Sequence, residues 1–254
     1  RVRRRPIAPV CLSGLIVSLP MGDLGKNTEG ARASLGRGHA LVVATGNRGK
    51  LEELRALLAS IHVEVLSLSE AGADTITVTE DGDTFEANAI KKAKAIAKAT
   101  SMMTLADDSG LEVDVLGNKP GVRSARFAHD RATDAENNAA LLHALSNVDD
   151  APSGGFPGRF RCVLALIDPY TGGEPVIVEG ACEGRVTTSP RGSGGFGYDP
   201  LFVVRDANDK TMAELSSEEK NELSHRAKAF RALVPMLESL IARRNGLIAA
   251  VRDR

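Results

Sequence analysis

Two spacings of apolar residues follow one another along the chain and predict strands alternating with helices. Residues 40–44 form a short apolar run that is typical of a buried strand. A glycine turn follows, and apolar residues then recur at helical spacing, which predicts a helix over 50–61. The next segment, HVEVLSL, alternates apolar and polar residues and predicts a second strand over 62–68.

A longer helix is predicted over 81–100, in DGDTFEANAIKKAKAIAKAT. Asp83 and Glu86 have the spacing of an N-cap and its capping box. One helical face then carries only apolar side chains, those of Phe85, Ala89, Ala93, Ile96 and Ala97. The segment MTLADDSGLEVDVLG, residues 103–117, predicts two short strands around an acidic turn, and a further helix is predicted over 133–145.

The second half of the chain is dominated by a β-hairpin. Residues 159–186 predict its two strands, with a turn near 171–173. A glycine-rich loop over 189–200 leads into a short strand over 201–204, and a final helix is predicted from near Ser224 to about Arg244. The order of elements predicts an α/β protein with a mixed β-sheet flanked by helices. We expect one domain over 40–245 and a short tail over 246–254.

Composition narrows the class of protein. The 254 residues are 43% hydrophobic and 26% charged, which is ordinary for a globular protein with a substantial core. A formal net charge of -1 gives no reason to expect a nucleic-acid or membrane surface, and no apolar run is long enough for a membrane span. Three cysteines without CxxC spacing argue against a disulfide framework and a zinc site. Cys162 and Cys182 are expected to be small buried thiols rather than bonded cross-strand partners, in a cytoplasmic protein.

The first 39 residues differ from the rest. Residues 1–22 contain arginines but no acids, and a short apolar stretch, so they resemble a signal or transit peptide. However, the chain begins without Met, Met21 offers a later start, and residues 25–39 are unpatterned. We expect a disordered extension or an upstream start-site artefact rather than a targeting segment.

The stretch ALVVATGNRGKLEEL, residues 40–54, places a glycine turn between a strand and a helix. Such a turn presents backbone N–H groups and the positive end of the helix dipole, and Lys50 adds a charge. The stretch is not a P-loop, GxxxxGK[ST], because two residues separate Gly46 from Gly49 and Leu51 follows the lysine. It predicts either an anion site or an ordinary turn with Lys50 in solvent.

Three further motifs carry candidate chemistry, each beside a plainer alternative. In ADDSG, adjacent strand residues point to opposite faces, so at most one of Asp107 and Asp108 faces a given cleft. An Mg²⁺ ion in that cleft would be bound by this carboxylate together with oxygens of a substrate phosphate. The alternative is a solvated acidic turn. In GGFGYDP, residues 194–200, Phe196 could stack on a planar base or merely anchor the loop. In EEKNELSHRAK, residues 218–228, Ser224 is the expected N-cap, and the basic residues form either a substrate site or a surface charge run.

Together these motifs resemble the inosine/xanthosine triphosphate pyrophosphatase family, which hydrolyses noncanonical purine nucleoside triphosphates. The matching stretches are ATGNRGKLEEL, EDGDTFEANAIKKA, ADDSGLEVDVLG, PGVRSARFA, GSGGFGYDPLF and AELSSEEKNELSHRAKA. They stand in the family's order over roughly 41–240. The resemblance implies an elongated mixed sheet in two lobes, a central nucleotide cleft and a homodimer. It also implies Mg²⁺-dependent hydrolysis of ITP, dITP and XTP to the monophosphate and pyrophosphate.

The resemblance also assigns roles to individual residues. Asp108 would be the catalytic base and an Mg²⁺ ligand, with Glu80 as the second metal carboxylate and Ser109 in contact with substrate. The residues implied for the triphosphate are Thr45, Gly46, Asn47, Arg48, Gly49 and Lys50. Those implied for the base and the rest of the substrate are Phe196, Gly197, Tyr198, Asp199, Lys220, His225 and Arg226. The metal would then be held away from the glycine loop, which accounts for the missing P-loop hydroxyl.

Two alternatives stay open beside this hypothesis. The enzyme could act on another nucleotide, such as a modified pyrimidine triphosphate. The chain could also be a noncatalytic nucleotide-binding or sensor protein. In each case the expected partner is a small nucleotide, with no nucleic acid and no membrane.

Overall fold

One mixed sheet organises the part of the chain that the computed structural model describes, residues 39–149 and 152–252. The expectations for residues 1–38 lie outside this part. The strands are β1 (Ala40–Val43), β2 (Glu64–Leu66), β3 (Met103–Val113), β4 (Lys119–Pro120), β5 (Phe156–Ile167), β6 (Val176–Val186) and β7 (Phe202–Val204). Their order is β2-β1-β3-β5-β6-β7, with β4 paired to β3. Strand β1 is parallel to β2 and β3, and the other pairings are antiparallel.

Helices flank this sheet, which confirms the predicted α/β class. They are α1 (Arg48–Leu58), α2 (Phe85–Thr100), α3 (Asp134–Ser146), α4 (Ser217–Leu223) and α5 (His225–Arg252). Short 3-10 turns at Asp114–Leu116, Gly121–Arg126, Asp199–Leu201 and Met212–Glu214 connect them to the strands. Among the described helices, none is long and apolar enough to cross a bilayer. The division into two lobes stays a prediction.

Three apolar clusters hold the helices to the sheet. Helices α1 and α5 cover one face through residues such as Leu54 and Leu233. Helix α2 covers the opposite face with the predicted stripe Phe85, Ala89, Ala93, Ile96 and Ala97, all of which are buried. Helix α3 packs with the ends of β3, β5 and β6 in the third cluster. Each cluster follows from apolar residues that recur at helical or strand spacing.

Strand β3 corrects the prediction of two short strands around an acidic turn. It runs unbroken from Met103 to Val113, and ADDSG lies in its middle. Asp107 pairs in register with Leu164 of β5, and Asp108 pairs with Val163. The turn-forming composition was misleading because buried cations neutralise both carboxylates, so this segment needs no solvent.

The edge of β3 opposite β5 is only partly covered by strands. Strand β1 pairs as far as Leu105, and β4 pairs from Glu112 onward. Between these positions, side chains form hydrogen bonds with the backbone of β3 in place of a neighbouring strand. Lys92 Nζ donates to the Asp107 carbonyl at 2.7 Å, and Ser124 Oγ accepts from Leu111 N at 2.9 Å. The gap leaves room for side chains and a ligand at the middle of β3.

The long hairpin is confirmed as β5 and β6. Cys162 and Cys182 are buried free thiols, as expected, and they are not opposite each other because Cys162 pairs with Gly180 and Phe160 with Cys182. Burial raises the pKa of the Cys182 thiol to about 11. Neither cysteine is therefore a disulfide partner.

The helices differ from the sequence expectations in a cap, in a C-terminal end and in one additional helix. Thr84, not Asp83, caps α2, because its side chain accepts from Ala87 N at 3.1 Å. Helix α5 continues to Arg252 rather than ending near Arg244, so residues 246–252 are helical rather than a loose tail. Helix α4 was not predicted, although Ser216 and Glu219 form a capping box at its start.

Candidate active site

Two adjoining cavities open beside the middle of β3. The aromatic cavity is lined by Phe160, Phe196, Tyr198, Asp199, Lys220, His225 and Arg226, among others. The acidic cavity is lined by Thr45, Gly46, Asp74, Glu80, Lys92, Asp108 and Arg126, among others. Asn47, Lys50 and Ser109 line both. The predicted site residues thus converge from distant parts of the chain, with Arg48 and Gly49 as the exceptions.

The loop before α1 and the first turn of that helix place Asn47 and Lys50 at the junction of the cavities. Asn47 caps the helix by accepting from Lys50 N at 3.0 Å, and Asn47 N donates to Thr45 Oγ1 at 3.1 Å. Gly49 lies beneath the Phe196 ring, and a Cβ at this position would be 2.4 Å from Phe196 Cδ1. The helix dipole adds a partial positive charge here.

Arg48 lies apart from both cavities. Its side chain is 91% exposed and forms an ion pair with Glu52 at 2.8 Å. Unlike Lys50, it turns its side chain toward solvent and away from the cavities. Helix geometry explains the exposure of Arg48. Arg48 and Lys50 are two residues apart in α1, so their side chains point to different sides of the helix.

The Asp107 carboxylate joins Lys50 of helix α1 to Arg226 of helix α5. Oδ1 accepts from Lys50 Nζ at 2.7 Å and from Ser109 Oγ at 2.8 Å. Oδ2 accepts from Arg226 Nε at 2.8 Å and from Cys162 Sγ at 3.1 Å. Burial alone would raise the pKa of Asp107, but Arg226 and Lys50 hold it well below its usual range. The carboxylate is therefore charged and fixes both cations.

Asp108 points to the opposite face of β3, as strand alternation requires. Its Oδ1 accepts from Lys92 Nζ at 2.8 Å, and the same ammonium lies 3.0 Å from Glu80 Oε1. Burial raises the pKa of Asp108, although Lys92 opposes the shift, and Glu80 adds to it. Burial opposes the charge on Lys92, but Asp108 and Glu80 keep the pKa of Lys92 above its ordinary value.

Two carboxylates of the acidic cavity fit a hard divalent cation. Asp108 Oδ2 is buried and accepts no hydrogen bond from the described residues, and Glu80 faces the same space. Within the described part of the chain no group of three or more His, Cys, Asp or Glu side chains could hold a metal. Two carboxylates match Mg²⁺ sites in which water and substrate phosphate complete the coordination.

The glycine-rich loop at 194–199 folds over the aromatic cavity. Phe196 N donates to Asp199 Oδ2 at 3.1 Å, and Lys220 Nζ donates to the same oxygen at 2.6 Å. Burial raises the pKa of Asp199 while Lys220 opposes the rise. Tyr198 is buried, and its hydroxyl donates to Ser124 O at 2.8 Å, so it anchors the loop to the fold.

The junction of α4 and α5 supplies the remaining predicted residues. These residues are buried, so they do not form the surface charge run that was the alternative. Ser224 caps α5, as predicted, by accepting from Ala227 N at 3.1 Å. His225 stacks on Phe160 with ring centroids 4.9 Å apart. Burial and the adjacent Arg226 hold the pKa of His225 well below its usual value, so the imidazole is neutral. Arg226 is 1% exposed and also forms an ion pair with Glu53.

Sequence reasoning missed several polar residues that line these cavities, among them Glu53, Lys92 and Arg126. It named Asp107 but not the pairing of Asp107 with Lys50 and Arg226. Glu53 pairs with Arg226 and lies 3.4 Å from Lys220, and Arg126 donates to the Glu80 carbonyl at 2.7 Å. Lys92 could have been found, because it follows Phe85 by seven residues and therefore falls on the buried face of α2. Glu53 had no comparable local signal.

The fold and the cavities define a class of protein. It is an α/β protein with aromatic surface at one end of its site and carboxylates with lysines at the other. Such a site suits a ligand with a planar ring and a charged, metal-binding tail.

Comparison with known proteins assigns the family within this class. A Ham1 family model matches residues 41–236. A protein of Bacillus subtilis named dITP/XTP pyrophosphatase is 47% identical over 198 residues, covering 78% of this chain and 96% of the relative. One of the same name from Geobacter sulfurreducens is 49% identical over 193 residues, covering 76% and 94%. The chain belongs to the Ham1 family.

Solved structures agree with this assignment. A HAM1 protein from Coxiella burnetii superimposes with a TM-score of 0.70 at 39% identity, covering 79% of this chain and 99% of that one. The Staphylococcus aureus Ham1 protein gives a TM-score of 0.67 at 38% identity, covering 79% and 98%. The resemblance stated from the sequence motifs is thereby confirmed.

Proposed function

We propose that this protein hydrolyses noncanonical purine nucleoside triphosphates, namely ITP, dITP and XTP, to the nucleoside monophosphate and pyrophosphate. The enzyme class, a nucleoside triphosphate pyrophosphatase, follows from the family and from relatives that carry the name dITP/XTP pyrophosphatase. One observation carries the substrate geometry: Lys50 and Ser109 line both cavities. A base in the aromatic cavity can therefore extend its triphosphate past them into the acidic cavity.

The base is bound between aromatic and cationic groups. The centroid of the Phe196 ring lies 5.8 Å from the Arg226 guanidinium carbon and 5.9 Å from Lys220 Nζ. The ring and these two cations therefore line the same space. Arg226 is fixed by Asp107 and Ser109, at 2.8 and 3.0 Å, and its remaining N–H groups can address a 6-oxo purine. Adenine presents an amino donor at this position, which leaves a protein donor unpaired at a cost of about 1–3 kcal/mol.

The triphosphate is bound by the loop before α1. Lys50, the Asn47 cap and the N-terminal end of α1 face its path, and Thr45 and Gly46 line the acidic cavity beyond. Arg126 and Lys92 supply further positive charge in that cavity. These groups neutralise the charge that grows on the departing pyrophosphate.

Asp108 and Glu80 would hold Mg²⁺. Bound there, Mg²⁺ would supply Lewis-acid neutralisation of the charge on the phosphate oxygens.

Asp108 acts as the general base. A water oxygen forms a bond to the α-phosphorus while the bond between that phosphorus and the α–β bridging oxygen breaks, and pyrophosphate leaves. Asp108 accepts the proton of this water. Its Oδ1 is occupied by Lys92 at 2.8 Å, and its Oδ2 has no partner among the described residues. Oδ2 is therefore the oxygen that would contact Mg²⁺ through one lone pair and accept the proton of the water through the other.

A panel of triphosphates with pyrophosphate detection tests the proposal. ITP, dITP and XTP should be cleaved far faster than ATP, GTP or a modified pyrimidine triphosphate, and only with a divalent cation present. Pyrophosphate release from a modified pyrimidine triphosphate alone would show that the enzyme acts on pyrimidine rather than purine nucleotides. Nucleotide binding without any release would indicate a sensor protein instead. The homodimer implied by the resemblance is part of the proposal and is tested by the native mass.

A further inference from the structure

The two peptide groups that flank Gly197 are each hydrogen-bonded to helix α3. Gly197 N donates to Asp134 Oδ2 at 2.7 Å, and Asn138 Nδ2 donates to Gly197 O at 3.0 Å. Asp134 and Asn138 are four residues apart, so one helix face presents both groups. We call this pair the Gly197 clamp.

The clamp acts on a segment whose backbone is otherwise permissive. Gly195 and Gly197 have φ angles of 77° and 61°, in the left-handed region that glycine adopts freely. Residues 192–195 are exposed. Phe196 lies between these two glycines, so the position of its ring depends on what restrains the neighbouring peptides.

The other restraints on this loop come from the residues that follow Phe196 and from beneath its ring. Phe196 N donates to Asp199 Oδ2 at 3.1 Å, and Asp199 N donates to Phe196 O at 3.3 Å. Tyr198 anchors the residue after Gly197, and Gly49 contacts the ring from below. The clamp adds a restraint from helix α3 on the peptide directly after Phe196 and on the next peptide. Asp134 also lines the aromatic cavity, so the clamp is next to the space where the base is expected.

Asn138 is an unfavourable choice for stability alone. Its Oδ1 is buried and has no hydrogen-bond partner in the described part of the protein. A buried acceptor without a partner costs free energy, whereas a leucine of similar shape leaves no such group. The amide is therefore explained by what its Nδ2 holds, the Gly197 carbonyl.

We propose that Asp134 and Asn138 are positioning residues that hold Phe196 in place to stack on the substrate base. This inference rests on the proposed function. It assigns a role in base binding to helix α3, whose residues do not bind phosphate or metal in the proposed mechanism.

Steady-state kinetics of Asp134→Ala and Asn138→Leu test the clamp, with ITP as substrate and inorganic tripolyphosphate as an inhibitor that lacks a base. Each variant should raise KM for ITP about 3- to 10-fold, the effect of one lost hydrogen bond. The value of kcat should stay within about twofold, because the reacting groups are untouched. Inhibition by tripolyphosphate should be unchanged.

Two controls accompany these variants. Asp130→Asn removes a nearby carboxylate that is 85% exposed and forms an ion pair with Arg123 at 3.5 Å, and it should leave KM unchanged. Asp134→Asn keeps an acceptor oxygen for Gly197 N and should restore most of the affinity that Asp134→Ala loses.

Three outcomes would overturn the clamp. Unchanged KM in both variants would show that Phe196 is held without it. An equal loss of tripolyphosphate inhibition would show general damage to the site. A parent protein that hydrolyses no triphosphate would overturn the clamp together with the proposed function, whereas an active parent with unaffected variants overturns the clamp alone.

Discussion

Lys50 Nζ lies 2.7 Å from Asp107 Oδ1, so the cation expected to bind the triphosphate is already paired with a buried carboxylate. The same carboxylate binds Arg226 through its other oxygen at 2.8 Å. One strand residue thus sets the positions of the two cations that we propose bind the triphosphate and the base. The pairing also explains how the site keeps several buried cations in place before a nucleotide arrives.

Removal of the Asp107 charge should destabilise the fold. Asp107→Asn leaves Lys50 and Arg226 buried beside a neutral amide, and an uncompensated buried charge typically costs about 3–5 kcal/mol. Urea unfolding of the variant measures this loss. Glu52→Gln, which removes the exposed partner of Arg48, is the matched control and should change the unfolding free energy by less than about 0.5 kcal/mol. Equal stability of the two variants would contradict the structural role of Asp107.

Asp108→Asn should abolish turnover while nucleotide binding persists. The amide cannot accept the proton of the attacking water, and loss of a general base typically costs about 10²- to 10⁴-fold in rate. Pyrophosphate release and calorimetric titration with ITP measure the two properties separately. Asp114→Asn, a change of the same kind just beyond the end of β3, should leave both intact. Hydrolysis near the parental rate would remove Asp108 from the proposed role.

Gly49→Ala should weaken nucleotide binding through Phe196. The added methyl group would lie 2.4 Å from Phe196 Cδ1, so the ring must shift out of its stacking position. Base–aromatic stacking is worth about 1–3 kcal/mol, so KM for ITP should rise roughly tenfold or more. Gly246→Ala is the control, because this helical glycine has open space around its Cβ position. That change should be neutral or slightly stabilising.

The neutral state of His225 should make the protein less stable in mild acid. The folded pKa of His225 lies well below its ordinary value, because burial and Arg226 disfavour the imidazolium. Below about pH 6.5 the unfolded chain binds a proton there that the folded chain does not, so stability falls as pH falls, by at most about 1.4 kcal/mol per pH unit.

Unfolding measured between pH 8 and pH 5 checks this expectation. His225→Gln should lose part of the acid sensitivity, although it is less stable at pH 8 because the stacking on Phe160 is lost. His62 is exposed, and His62→Gln should keep the parental pH dependence. An identical acid slope in the parent and in His225→Gln would contradict the assigned neutral state.

Local sequence patterns were sufficient for the elements whose signals are local. The hairpin of β5 and β6, the apolar face of α2 and the Ser224 cap follow from spacing and side-chain chemistry within one segment. The motifs were also sufficient for the family, because six separate stretches stood in one order. The error at β3 has a physical cause: aspartate, serine and glycine favour turns in solvent, and only distant cations make them stable inside a sheet.

The sequence by itself determined the order of strands and helices and the residue types that a phosphorylated, planar ligand needs. Only the tertiary structure decided which charges meet. It turned Arg48 toward solvent, paired Lys50 with Asp107, placed Lys92 between Asp108 and Glu80, and brought Glu53 to Arg226. The reason is that periodicity fixes the direction of a side chain relative to its own element, whereas the partner of a buried charge is set by how separate elements pack.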